Sequence, residues 1–398
     1  MFTHLRGRYA IQQRSVRFFL TIIDGLLSWL IRPQKKRWYS SPKSILLILR
    51  GHLGDAVLLT ALFEPLQTSF PKAKIGVVTG SWNAPVLKGH PAISTLHIYD
   101  YWRHNRGCHH LIKKWWRQLV TGWRSLREIR QSGYRVAVVL SPFFGNGVLF
   151  SYLSGIAQRI GYDCGGFGAL LSHPVSGPRS IVHITQYHLK LLQEIDGFGT
   201  FHELQPNLPQ PKRADLLKEI SSQFVVINMG AGEDFKKWPL DKWRELVAFF
   251  QKQGLCVVIT GRGALEADAV DKLLKELPSK RRIINLCNSI SWDTFASIVE
   301  AAELLVCHDS VSGHLASCFS VPTIALFSGV RSAILNFYPL NKKAICLCKS
   351  LPCNPCFMVE KGCASMACIS EIQVDEVIEA ACQLVGEIFD SKRKFSIL

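Results

Sequence analysis

The sequence lacks a membrane-spanning run. Its N-terminal apolar stretch, "FFLTIIDGLLSWLI" over residues 18–31, has fourteen residues and is broken by Asp24 and Gly25, against the roughly twenty that a spanning helix needs. No small-residue cleavage site follows it, which argues against a secretory signal peptide. Asp-x-Asp, a spacing that commonly holds a divalent metal, does not occur. Acidic residues are scarce where basic ones gather: residues 1–40 hold eight Lys/Arg against Asp24, and residues 103–135 hold nine against Glu128. Those two segments carry most of the formal charge of +17, so they are expected to meet an anionic partner. An evenly cysteine-rich pattern is also missing. Of thirteen cysteines, six fall between Cys346 and Cys368, and the rest are scattered, several in apolar runs such as "GLCVVIT", where Cys acts as a small hydrophobe. That distribution excludes a secreted disulfide scaffold and fits a reducing cytoplasm.

What is present is abundant apolar material, 48% of the chain, which supplies large cores and excludes disorder. A length of 398 residues suggests two domains. "SILLILR" reads as a central parallel strand, a helix is predicted over Asp55–Phe70, and "AKIGVVTG" is the next strand, completing a βαβ unit. "YRVAVVLSP" supplies another buried strand. The Pro-rich stretch "ELQPNLPQPKRADLLKE" joins this half to a second alternation, with strands at "QFVVIN", "LCVVIT", "ELLVCH" and "VPTIALF". The expected organisation is a basic amphipathic leader (1–40), a Rossmann-like domain (41–205), a linker (206–220) and a second Rossmann-like domain with a Cys-rich tail segment (221–398). The fold class is α/β: two doubly wound domains facing each other across a cleft.

Ligands of such sheets bind beyond the carboxyl ends of the strands, and the polar motifs fall there. In "NMGAGEDFKKWP", Gly230, Ala231 and Gly232 let backbone amides approach a ligand, and Lys236 and Lys237 add charge. The alternative is an ordinary Gly-rich surface turn. In "CHDSVSGHLAS", Asp309, Ser310, Ser312 and Gly313 follow a strand, with His314 at the start of a helix. Ser and Asp there are good N-caps, and the same geometry directs a helix N-terminus at the cleft. In the first half, Asp55 follows "RGHLG", where it is either a helix cap or a reacting carboxylate.

In this order the motifs resemble glycosyltransferase family 9, the ADP-heptose:lipopolysaccharide heptosyltransferases. The resemblance runs through Arg50–Asp55, "FPKAKIGVV", Arg159-Ile160-Gly161, "MGAGEDFKKWP", Asp309–Ala316 and "VPTIALFSG", over roughly residues 44–385. It implies a GT-B fold with the nucleotide sugar in the C-terminal domain and the acceptor in the N-terminal one. It also implies inversion at the anomeric carbon without a metal, so no cofactor is required beyond the nucleotide-sugar donor, ADP-heptose. By the same resemblance Asp55 is the general base, Lys236 contacts the donor phosphates, Asp309, Ser310 and His314 form the nucleotide- and phosphate-binding turn, and Glu266 binds the ribose. Two departures bear on the donor side. Val311 stands where the family has glycine, with a glycine displaced to Gly313, and "FSGVRS" replaces Phe-Gly-Pro-Thr and inserts Ser328.

Other readings concern partners. The leader suits either a helix in an anionic membrane interface or one packed on the protein's own body. Segment 103–135 interleaves Trp115, Trp116 and Trp123 with cations, which suits single-stranded nucleic acid, an anionic lipid interface or a solvated helix face. The resemblance favours the cytoplasmic membrane surface and an anionic lipid-linked glycan acceptor over nucleic acid, hence a peripheral protein on the inner face of the cytoplasmic membrane. Cys353-Asn-Pro-Cys356, with Cys363 and Cys368, has spacing open to a structural zinc or to plain thiols. Rival functions are transfer from another nucleotide sugar or to another acidic glycan, and a catalytically silent membrane- or nucleic-acid-binding protein of the same fold.

Overall fold

The computed structural model describes residues 14–31, 41–105, 107, 110–141, 145–177, 182–220, 223–329, 336–354, 356, 363 and 365–395. The remainder of the basic leader, the segment from Val330 after Gly329, and much of the Cys-rich segment lie outside them. The chain divides into two compact units, Met1–Leu204 and Gln205–Leu398.

The first unit contains strands β1 (Ser44–Ile48), β2 (Lys74–Thr79), β3 (Thr95–Ile98), β4 (Val136–Val139), β5 (Gln158–Tyr162) and β6 (His173–Val175). Its helices are α1 (Arg14–Leu30), α2 (Leu53–Leu59), α3 (Phe63–Ser69), α4 (Ala84–Leu87), α5 (Leu111–Ser132), α6 (Asn146–Leu153) and α7 (Ile184–Leu192). The strands form one parallel sheet in the order β3-β2-β1-β4-β5-β6. β1 is buried along its whole length, as expected for a central strand covered on both faces.

The helix predicted over Asp55–Phe70 is in fact two. α2 begins at Leu53 and ends at Leu59, a 3-10 turn follows at Thr60–Leu62, and α3 resumes at Phe63. Pro65 explains the break, because it has no N–H to donate to the carbonyl four residues back and its ring crowds that carbonyl.

The second unit contains β7 (Phe224–Asn228), β8 (Cys256–Thr260), β9 (Ile283–Asn285), β10 (Leu304–His308), β11 (Thr323–Leu326) and β12 (Ala344–Leu347). Helices α8 (Leu216–Glu219), α9 (Leu240–Lys252), α10 (Ala264–Glu276), α11 (Trp292–Glu300), α12 (Val311–Cys318), α13 (Ala367–Ser370) and α14 (Val374–Phe395, kinked at Val385) accompany them. The sheet is parallel, ordered β12-β11-β10-β7-β8-β9. Its core gathers Val225, Ile227, Val257, Ile259, Leu304 and Val306 with Trp243, Leu246 and Phe250 of α9.

Both sheets therefore have the doubly wound order of a Rossmann fold, and together they give the two-domain α/β architecture of the GT-B class. In each, chain direction across the sheet reverses at one place: between β1 and β4 in the first, between β7 and β10 in the second. Those switch points are where a doubly wound sheet opens a crevice for ligands. Among the described residues no helix is long and apolar enough to cross a membrane.

Candidate functional site

In the second unit the loops after β7 and β10 meet at the switch point. Lys236, at the end of a 3-10 turn over Asp234–Lys236, reaches Asp309 with Nζ to Oδ2 at 2.6 Å. The contact joins the two loops that were singled out separately in the sequence. Asp309 follows β10, and α12 starts at Val311 with Ser310 at its N-cap. The Ser310 hydroxyl pairs with that of Ser312 at 2.7 Å rather than capping the helix; of the first-turn amides, Gly313 N–H is taken by the Cys307 sulfur, which leaves those of Val311 and Ser312 to a ligand or to water. Gly313 is tightly enclosed, since a Cβ there would lie 3.1 Å from Pro339. His314 is buried in α12, one turn into the helix rather than at its first residue.

Gly230 and Glu266 define the other end of this site. The Glu266 carboxylate accepts the Arg262 N–H at 2.7 Å and occupies the space that side chains would fill at Gly230 and Gly261, where a Cβ would come within 2.5 and 2.7 Å of it. Burial raises its pKa above the ordinary carboxylate value. Ala231 is half-buried and Gly232 exposed at the loop's outer edge. Below them, Asn228 donates to the Thr260 hydroxyl at 3.1 Å and ties the ends of β7 and β8.

His308, missed in the sequence although it precedes Asp309, also shapes this loop. Its Nε2 accepts the Trp238 N–H at 2.9 Å, and Trp243 packs edge-on against its ring. Burial lowers the His308 pKa to about 4, and burial with the nearby Lys236 lowers that of His314 to about 4. Both rings are thus neutral when folded, whereas an unfolded histidine takes up its proton near pH 6.5. Their stabilising contribution is complete above that value and is lost as pH falls from 6.5 toward 4, because the unfolded chain then binds more protons. The thermal midpoint should fall steadily through that window; a flat midpoint would contradict neutral burial of these rings.

In the first unit, Asp55 sits in the first turn of α2, beyond the end of β1 at the other switch point. Its Oδ2 accepts the His52 N–H at 2.7 Å, so the capping role anticipated for it is present. Gly51 makes the position attainable: a Cβ there would meet the Asp55 carboxylate at 2.4 Å. The Gly51 carbonyl is held by Trp82 Nε1 at 2.9 Å and Asn83 Nδ2 at 3.2 Å. The Arg50 carbonyl accepts the Ser141 hydroxyl at 3.1 Å from beyond β4, and the Arg50 guanidinium lies 3.6 Å over the Tyr101 ring. Behind this, buried Asp100 accepts the Ser81 N–H at 2.6 Å and Arg117 Nε at 2.6 Å. Trp82, Asn83 and Asp100 escaped the sequence reading, and "SWN" after β2 was the available signal. Replacing Gly51 by Ala should displace the Asp55 carboxylate and lower kcat by about 10²-fold, checked by steady-state rates beside the thermal midpoint; an unchanged kcat would separate Asp55 from the chemistry.

The family model for Glycosyltransferase family 9 (heptosyltransferase) matches residues 123–366, more than half of the chain. The chain belongs to glycosyltransferase family 9. As a member of that family it is a glycosyltransferase. The matched span contains the Lys236, Glu266 and Asp309–His314 cluster, while the Arg50–Asp55 turn lies before it. Lipopolysaccharide heptosyltransferase 3 of Escherichia coli (strain K12) is 24% identical over 291 residues, 70% of this chain and 80% of that protein. Among solved structures, the glycosyl transferase family 9 protein from Veillonella parvula DSM 2008 superposes with a TM-score of 0.73 at 19% identity, covering 88% of this chain and 99% of that one. The E. coli ADP-heptose lps heptosyltransferase II gives 0.69 at 20% identity, covering 86% and 99%. At those identities the two structures speak for the fold.

Not every motif of the family 9 resemblance lies at a switch point. Arg159 donates to the carbonyls of Leu170 (2.8 Å), Ala157 (3.2 Å) and Ile156, so its visible work is to fasten a loop. Inserted Ser328 is buried. Among the described residues no three His, Cys, Asp or Glu side chains gather as a metal's ligands would, while Cys353, Cys356 and Cys363 all lie near enough to Cys368 to add, beyond burial, to the rise of its thiol pKa. Elsewhere, burial pushes the thiols of Cys307 and of half-buried Cys346 up to about 12, so both stay protonated.

Proposed function

We propose that this protein transfers a heptose from ADP-heptose to a hydroxyl of a lipid-linked, lipopolysaccharide-type core acceptor, with inversion and without a metal, at the inner face of the cytoplasmic membrane. The observation that carries the reading is the Lys236–Asp309 contact of 2.6 Å at the switch point of the second sheet, in a chain of family 9.

Three needs of the reaction have candidates. The acceptor hydroxyl must lose its proton as it attacks, and a carboxylate in reach can take it. Asp55 has that role here. Its Oδ2 is engaged by the His52 N–H, which orients the group. Positive charge developing on the sugar is favoured by the same carboxylate. The departing diphosphate needs fixed donors. Lys236, the Gly230-Ala231-Gly232 backbone and the N-terminal amides of α12 at Val311 and Ser312 supply them, and Ser310, Gly313, His314 and Asp309 shape the floor. Glu266, beside Gly230, takes a ribose hydroxyl. The preference for an adenine nucleotide and for heptose follows the relatives, which include an ADP-heptose enzyme by its description.

Calorimetric titration with ADP, UDP and GDP tests the nucleotide half of the reading. Binding of ADP in preference to the others is expected, and the absence of binding by any nucleotide diphosphate would overturn it.

A further inference from the structure

In an ordinary doubly wound unit the helices covering a sheet bury one side and turn a polar side to water. Two helices of the first unit depart from that rule. On α1, Leu20, Asp24 and Leu27 form the inner side. Leu20 packs against Gly166, and Leu27, with Ile31 beyond the helix end, joins the core that covers Leu46, Ile48, Val78, Ala137 and Val139. The opposite side carries Phe19, Ile22, Ile23, Leu26 and Trp29, all exposed, Trp29 by 80%. On α5, Ile129 and Leu126 pack on that same core. The outer side bears Ile112, Trp116, Leu119 and Trp123, spaced four, three and four residues apart in one stripe, with Ile112 exposed by 85%.

Both helices therefore lie on one face of the first sheet and turn an apolar stripe outward. Leu153 and Tyr152 at the end of α6 continue this surface, because Arg130 of α5 donates to the Leu153 carbonyl at 2.6 Å. Leu265 and Tyr338 are the only exposed large apolar side chains among the described residues that lie elsewhere. An apolar patch of this extent marks a contact surface.

Charge identifies the occupant. Exposed Lys113, Arg124 and Arg127 border the α5 stripe. The acid of that helix, Glu128, is paired with His97 at 3.1 Å, and Asp24 of α1 is buried. A second copy of the chain would bring this cationic surface against itself, whereas an anionic bilayer complements it. Trp29, Trp115, Trp116 and Trp123 suit the headgroup level, where an amphipathic ring has both apolar and wet surroundings.

We propose that α1 and α5 form one composite docking surface that seats the first unit on an anionic phospholipid bilayer, with both stripes in the headgroup–acyl boundary. The assignment deepens the membrane location given above but needs no sugar donor, so it is tested separately from the transfer reaction. The full chain is sedimented with vesicles of phosphatidylethanolamine and phosphatidylglycerol, and with vesicles of phosphatidylcholine alone. Binding to the first, weakened by salt and at least about tenfold weaker on the second, is expected. Two triple variants divide the contributions: Ile112→Ser with Trp116→Ser and Trp123→Ser, and Lys113→Glu with Arg124→Glu and Arg127→Glu. All six positions are exposed, so unchanged thermal midpoints are expected, and each variant should lose at least about tenfold in partition. Binding of the wild type to neither vesicle, or full binding by both variants, would overturn the proposal. So would a stable dimer of the wild type that the serine variant splits. ADP titration of the same variants should be unaffected, which keeps this result distinct from failure of the transfer reading.

Discussion

Asp55→Asn should lower kcat by about 10²–10⁴-fold, the loss typical of a single general base, while ADP affinity and the thermal midpoint stay near those of the wild type. The substitution is chosen because Asp55 does two things. Its carboxylate accepts the His52 N–H at 2.7 Å, and an asparagine oxygen can keep that bond, as the acid and the amide both serve at the N3 position of a capping box. What an amide cannot do is take a proton from the acceptor. Asp55→Ala removes both properties and should add a stability loss of about 1 kcal/mol, the net worth of one hydrogen bond. Steady-state transfer rates, calorimetry with ADP and thermal melts on the two variants separate cap from base. Full turnover by Asp55→Asn would leave Asp55 a helix-start residue only.

Lys236→Ala should act on binding as well as on rate. A charge-assisted hydrogen bond is worth about 1.5–3 kcal/mol, which corresponds to roughly 10–100-fold in ADP affinity. The structure makes the expected loss larger than deletion of a cation from open surface. Lys236 is ion-paired with Asp309, whose side chain is only 9% exposed. Without the lysine an uncompensated carboxylate stands where a diphosphate is to bind, and stranding one partner of such a pair is costly. Asp309→Asn in the Lys236→Ala background should therefore regain part of the ADP affinity, as read by calorimetry. If the single variant bound ADP as tightly as the wild type, the anion site would have to be placed elsewhere.

Much of the architecture was legible because parallel strands covered on both faces are continuous apolar runs. β1, β4, β7, β8 and β10 were each recognised that way, and their loops were marked by Gly, Asp and Lys where a doubly wound sheet needs them. The break inside Asp55–Phe70 was harder to place, because Pro65 is apolar and fits the helical stripe while disrupting its hydrogen bonds. His308 was passed over since it lies inside an apolar strand, and only the fold puts its ring under the Trp238 amide. Trp82, Asn83 and Asp100 were hidden for another reason. Trp82 and Asn83 act on Asp55 through the Gly51 carbonyl, and Asp100 through the Ser81 amide beside them, tertiary contacts that the local signal "SWN" does not reveal. The basic, Trp-rich segment 103–135 could be read as a lipid, nucleic-acid or solvent face. The structure adds that its helix and α1 cover the same core with their inner sides and turn their apolar stripes away from it.

Transfer from ADP-heptose with Asp55 as base is open to a single assay. Purified protein is given ADP-heptose with a deacylated core acceptor, ADP release is followed, and the anomeric configuration of the product is determined by NMR. Acceptor-dependent ADP release, an inverted product, and loss of both signals in Asp55→Asn are expected. A product of retained configuration, or turnover of a different nucleotide sugar with none of ADP-heptose, would contradict it.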